Sequence, residues 1–304
     1  MSERPSFLRR VEAAVLLPLA ALLRALPPRA RVAVGHALGS LVHALDGHHR
    51  KLARSNLRQA LGVDGATAAR LARQAFRHFG RVAVECLALP AYLRTDAEKL
   101  FEIEGLEHLA AAHAQGKGVI VFSAHMGNWE LVAQRQALAG FPMDFIARPL
   151  DNPWLEAAIN RWRELPGNRV LGKHGALRRA MQSLRAGRAL AILIDQNVRV
   201  PPRFYFPFFG RNATTTQTLG HFALRLGAPV VPVVSIPRPD GGYRIVYHPP
   251  LDLPSPEAGD LKQRARALTE AASRMIEGWI RDNPGTWLWL HDRWKSRPQP
   301  GEEV

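Results

Sequence analysis

Residues 118–134, GVIVFSAHMGNWELVAQ, hold the pair of side chains best suited to chemistry. An apolar run ends at Ser123-Ala124-His125, a short turn follows, and a helical run begins that carries Glu130. An imidazole with an ordinary pKa of about 6.5 can take a proton from a hydroxyl as that hydroxyl attacks a carbonyl. A carboxylate that orients the ring and steadies the imidazolium completes such a pair. Gly127 eases the turn that would return Glu130 to His125. The same spacing also fits a surface His–Glu pair at a helix start, which does no chemistry.

The elements that must position this pair are read from hydrophobic periodicity. From residue 101 onward, apolar runs of strand length alternate with amphipathic helical runs. Strands are expected at 101–105, 118–125, 143–149, 169–173, 189–196, 229–236 and 243–249. Helices are expected between them, several ending at a glycine that can cap them. This alternation predicts an α/β fold: a mixed, largely parallel sheet flanked by helices. His125 then falls at the carboxyl end of a strand, where open α/β sheets bind ligands. The stretch that holds Phe204, Tyr205, Phe206, Phe208 and Phe209 reads as an apolar loop. A long final helix is expected over 257–281, then a Trp-rich stretch with Trp287, Trp289 and Trp294 that packs on the sheet.

Residues 1–95 show only helical patterns and form a helical N-terminal region, 96–297 the α/β domain and 298–304 a polar tail. Within the first of these, Val11–Leu26 is apolar, flanked by Arg9, Arg10, Arg29 and Arg31, and interrupted by Pro18. It is short for a spanning helix, which needs about 20 apolar residues. An interfacial anchor over about residues 7–27, with arginines reaching toward headgroups, fits it. A buried helix of the folded domain is the competing reading.

Lys plus Arg number 41 against 26 Asp plus Glu, a formal net charge of +15. Such a balance suits nucleic acid, an anionic membrane surface or a small acidic protein. No sheet pattern interleaves aromatic and basic residues as single-strand binders do, so nucleic acid is not expected. A lone Cys86 in a helical apolar run rules out an internal disulfide and reads as core. There is no G-x-S-x-G elbow, no H-E-x-x-H or paired-Cys metal pattern, and no Walker loop around Gly116-Lys117-Gly118.

The block SAHMGNWE resembles the catalytic block of the lipid A biosynthesis acyltransferases, within the wider glycerolipid acyltransferase-like enzymes. Further segments agree in order: ARPLDNPWLEAAINRWRE, the strand ending in Asp195-Gln196, FPFFGRNATTTQT followed by LGAPVVPV, and the tail NPGTWLWLHDRWK. The resemblance covers most of the chain. It implies transfer of a fatty acyl group from acyl–acyl carrier protein, or acyl-CoA, to a hydroxyl of a lipid A precursor. His125 would be the general base and Glu130 its acidic partner. Arg148, Asn128, Asp195, Gln196, Gly210, Thr214 and Thr215 would line the substrate site, with Thr214–Thr216 equally suited to capping the next helix. No metal or bound cofactor is implied. The implied partners are an acidic carrier protein, an anionic glycolipid and a membrane surface, and the implied location is the cytoplasmic face of the inner membrane. A different lipid acceptor, or a non-catalytic lipid-binding protein, are the alternatives.

Overall fold

The computed structural model describes residues 7–147, 149–172, 175–199 and 203–298. Its strands are β1 (Phe101–Glu104), β2 (Val119–Ser123), β3 (Met143–Ile146), β4 (Arg169–Leu171), β5 (Ala189–Leu193), β6 (Arg203–Phe208), β7 (Arg211–Thr216), β8 (Val230–Pro237) and β9 (Tyr243–Tyr247). Its helices are α1 (Phe7–Ala25), α2 (Pro28–Leu45), α3 (Gly47–Leu61), α4 (Gly65–Leu87), α5 (Leu106–His113), α6 (Trp129–Leu138), α7 (Pro153–Glu164), α8 (Ala176–Arg185), α9 (Thr218–Leu226) and α10 (Leu261–Asp282).

Seven strands form one sheet in the order β1-β9-β8-β2-β5-β3-β4. β8, β2, β5, β3 and β4 run parallel, β9 reverses against β8, and β1 follows β9. The expected α/β fold with a largely parallel sheet is therefore present. β2 lies at its centre, and every residue of it is buried because helices cover both faces. Val119 and Val121 pack with Leu109 of α5 and Val132 of α6. Ile120 and Phe122 face the other layer, with Leu219 of α9 and Leu268 and Ile276 of α10.

Among the described residues, the N-terminal helices share their core with the α/β part. Leu57 of α3 and Phe76 of α4 share a hydrophobic cluster with Phe208, Trp287 and the sheet. α2 and α4 approach closely because a Cβ at Gly39 would strike the Phe76 carbonyl, and one at Gly80 the Gly35 carbonyl. Helix boundaries follow capping chemistry. Asp64 accepts from the Thr67 amide to start α4, and Asp260 and Gln263 form a reciprocal capping box at α10. That box starts α10 at Leu261, later than the expected 257, where a short 3₁₀ turn stands instead.

The apolar stretch read as a loop is instead an antiparallel hairpin, β6 paired with β7. Its aromatic side chains are buried: Phe204, Tyr205, Phe206, Phe208 and Phe209 pack on the Trp-rich tail and on α10. Trp287 and Trp289 are fully buried, as packing on the sheet demands.

Candidate active site

Parallel register brings the reacting residues together. Ser123 of β2 lies opposite Leu193 of β5, so the residues two further on, His125 and Asp195, emerge side by side at the carboxyl edge. The His125 Nδ1 lies 2.9 Å from Asp195 Oδ1. The His125 amide donates to Asp195 Oδ2 at 2.9 Å, and the Trp287 indole N–H donates to the same oxygen at 2.8 Å. Three donors thus converge on one buried carboxylate. Burial opposes its charge, but the charge of His125 and the hydrogen bonds from His125 and Trp287 outweigh it, and Asp195 sits below the usual carboxylate range. An ionised carboxylate only accepts, so Nδ1 carries the ring proton and Nε2 is left as the basic nitrogen.

Glu130 does not orient His125, contrary to the sequence expectation. It starts α6, and its carboxylate turns toward α7, where Arg163 grips it in a fork: Nε to Oε2 at 3.0 Å and a terminal nitrogen to Oε1 at 2.5 Å. Both side chains are largely buried. The five-residue spacing allowed a return to His125. The competing attraction of a buried guanidinium decides otherwise.

Asn128 is also reassigned. It is fully buried, its Oδ1 caps α6 by accepting from Leu131, and its Nδ2 donates to Glu85 Oε2 at 2.7 Å. Glu85 in turn accepts from Arg81 and the Tyr243 hydroxyl. The Asn128 side chain is spent on structure and is not a substrate contact. Thr214 and Thr215 are buried as well. Thr214 bonds the Val198 amide and Asn197, while the Arg293 guanidinium donates to the Thr214 carbonyl and Thr215 hydroxyl. Gly210 stands at the turn between β6 and β7 and is not among the residues that line the cleft. Gln196 does line the site. Arg148 lies outside the described residues.

The loop that carries His125 is clamped from behind. Met126 forms a β-bridge to Trp287, the Leu288 amide donates to the His125 carbonyl at 3.1 Å, and the Gly127 amide donates to Thr286 at 3.1 Å. Gly127 has φ of +57°, and a Cβ there would collide with the Ser235 carbonyl, so only glycine fits. His78 of α4 lies 2.9 Å from the Gly127 carbonyl through Nε2, which must be the donor. Burial pushes this imidazole down to about 4, so it is neutral at physiological pH. An unfolded His78 titrates near 6.5. The stability it contributes is therefore fully present above that value and is lost as pH falls from 6.5 toward 4, about 3 kcal/mol in all. His78→Gln, which keeps an N–H donor, should flatten the fall in denaturation free energy between pH 7 and 4. An unchanged slope would exclude His78 as its source.

A cleft of about 490 Å³ opens beside His125. Trp129 stands edge-on to the imidazole with ring centroids 4.9 Å apart. Below them the walls are apolar, with Val121, Ala133, Phe145, Ala191 and Ile192, and the Glu130–Arg163 pair forms part of one side. Sequence reasoning missed Arg163 and the role of Trp287. Nothing in local spacing joins either to His125. Cys86 is half-buried on α4, and burial raises its thiol well above the ordinary range, which suits a core residue and not a nucleophile. No group of three or more metal-ligating side chains occurs among the described residues.

Residues 3–296 match the family described as bacterial lipid A biosynthesis acyltransferase. The chain is 27% identical over 269 residues to the lipid A biosynthesis palmitoleoyltransferase of Escherichia coli (strain K12), covering 87% of this chain and 85% of that protein. It is 29% identical over 200 residues to the lipid A biosynthesis lauroyltransferase of the same organism, covering 65% and 63%. It is 25% identical over 278 residues to a phosphatidylinositol mannoside acyltransferase of Mycolicibacterium smegmatis, covering 90% and 88%.

Proposed function

The chain belongs to the bacterial lipid A biosynthesis acyltransferase family, and on that premise we propose that it moves a fatty acyl group from acyl–acyl carrier protein to a hydroxyl of a lipid A precursor, with His125 as general base and Asp195 as its partner. The observation that carries this reading is the buried Asp195–His125 pair opening onto an apolar cleft. His125 Nε2 takes the acceptor proton as the hydroxyl oxygen attacks the thioester carbonyl. Asp195 steadies the imidazolium, which then returns the proton to the departing thiolate. Atoms and charge balance without a metal, a cofactor or an acyl-enzyme.

The apolar part of the cleft suits the acyl chain, since each methylene buried is worth about 0.8 kcal/mol. Ala191 lines it four residues before Asp195, ~13 Å down the strand. Ala191→Leu should shorten the preferred chain by about two methylenes, an approximately tenfold shift in relative kcat/KM. Purified protein would be assayed with carrier-bound donors of graded length and a panel of acceptors that includes a phosphorylated glucosamine disaccharide and a mannosylated phosphatidylinositol. Transfer to the disaccharide supports the reading. Transfer only to the mannoside moves the acceptor while retaining the chemistry, and failure to transfer to any lipid hydroxyl overturns it.

Membrane contact would come from two exposed stripes. Leu8, Val11, Val15, Leu19 and Leu22 line α1, and Val34, Leu38, Leu41 and Leu45 line α2. Contiguous apolar surface of this kind marks an interaction face. No described helix is long and apolar enough to cross a membrane. These stripes favour interfacial docking, and a carrier-bound acyl donor would put that docking at the cytoplasmic face of the inner membrane.

A further inference from the structure

Residues 28–87, spanning α2 to α4, contain ten Lys or Arg and three acids. Two of the acids, Asp46 and Asp64, cap helix starts, and the third, Glu85, is buried in its network with Arg81 and Tyr243. Of these, only the exposed Asp64 places a negative charge near one of the outer cations, Arg70, so the outer surface is strongly cationic. Lys51, Arg54 and Arg58 lie on one exposed stripe of α3, beside a groove of about 570 Å³. Arg70, Arg73 and Arg77 form a second exposed stripe on α4. None of these six takes part in an ion pair among the described residues.

The two stripes meet over α2. Arg50, near the start of α3, donates to the carbonyls of His43 and Ala44 at the end of α2, and His43 is lowered by burial and then by the charges of Arg50, Arg73 and Arg54. His36 lies 3.5 Å from an Arg77 nitrogen and is lowered by burial and then by Arg77 and Arg81. The surface continues into a cleft between α4 and the 284–286 turn, with Arg70 and Arg77 on its wall. His78, which holds the Gly127 carbonyl, also lines that cleft. The cationic surface therefore leads to the back of the loop that carries His125.

Its direction separates it from the membrane stripe. At 3.6 residues per turn, His36 and His43 fall roughly half a turn around α2 from Leu38 and Leu41. A lipid surface that meets the leucines does not meet the arginines at the same time. A soluble anionic partner fits the second face, because guanidinium forks pair with exposed carboxylates and opposite charge speeds encounter.

We infer that α2, α3 and α4 form the docking surface for the acidic carrier protein that delivers the acyl thioester. This rests on the acyl-transfer reading above. The test is the triple variant Arg54→Glu/Arg58→Glu/Arg73→Glu, all surface positions, with its fold checked by circular dichroism and melting temperature. Two readouts are taken. One is the anisotropy of fluorescently labelled acyl carrier protein titrated with enzyme. The other is kinetics with the acyl group on carrier protein or on pantetheine alone, which has neither a protein nor a charge to recognise.

The expected result is carrier affinity weakened about tenfold or more, a matching rise in KM for the carrier-bound donor, and unchanged kcat/KM for acyl-pantetheine. Carrier affinity that is unaffected overturns the proposal. So does an equal loss with both donors, which would place these residues in the chemistry or the fold. Loss of binding to phosphatidylglycerol vesicles with carrier affinity intact would assign the face to lipid and overturn it too. Should the wild type transfer from neither donor, the acyl-transfer reading fails, while the anisotropy titration still decides whether the surface binds the carrier.

Discussion

Asp195→Asn is expected to lower kcat by about 10² to 10⁴, as much as His125→Ala. The carboxylate accepts from the His125 ring, the His125 amide and the Trp287 indole at once. An amide has one acceptor oxygen and an NH₂ that only donates. It must either present N–H groups to donors or turn its oxygen from the ring, and the ring then favours the tautomer with its proton on Nε2. That tautomer cannot take a proton from the acceptor hydroxyl. Steady-state rates for the two single variants and the double variant measure the coupling. The double variant should lose no more than the worse single one, because the two residues act as a unit. An Asp195→Asn enzyme within twofold of wild type would remove Asp195 from the mechanism. The stability that Asp195 contributes should also survive mild acid. A carboxyl held below its ordinary value contributes stability that is complete above about pH 4 and is lost only as pH falls through its own lower value.

Glu130→Ala is expected to act first on stability, costing about 3 to 5 kcal/mol, because it strands a largely buried guanidinium. Arg163 would keep its bond to Asn160, its place over the Phe145 ring and the more distant charge of Glu156, but no carboxylate in contact. Urea denaturation of Glu130→Ala, Arg163→Leu and the double variant measures this. The double variant should regain most of the loss, since replacing a whole buried pair by apolar side chains is far cheaper than breaking it. Because the pair lines the cleft beside His125, activity will fall with stability in the single variants and return in part in the double one. A Glu130→Ala protein that stays within 1 kcal/mol of wild type yet loses as much activity as Asp195→Asn would assign Glu130 to the chemistry instead.

The seven strands of the central sheet were legible for two reasons: β2, buried along its whole length, has little choice but to be apolar, while β1 and β9 show the alternation of half-buried strands. The β6–β7 hairpin was not. Its turn residues, Phe209 and Gly210, both have positive φ, at 52° and 69°, and a phenylalanine there carries none of the Asn-Gly or Asp-Gly signal of such turns. Pro207 and the polar run from Arg211 to Thr216 further hid the strand pattern. Asn128 and Thr214, read as substrate contacts, are consumed by a helix cap and by buried backbone groups, a demand visible only once their neighbours are placed.

The sequence by itself determined the class of fold, the position of His125 at a strand end and the kind of chemistry an imidazole there performs. All three follow from local properties: periodicity, a turn and a side chain's pKa. Which carboxylate serves that imidazole was a tertiary decision. Glu130 is five residues from His125 and faces Arg163, while Asp195 is 70 residues away and touches the ring. The pairing register of two parallel strands sets that contact, and register is a property of the assembled sheet.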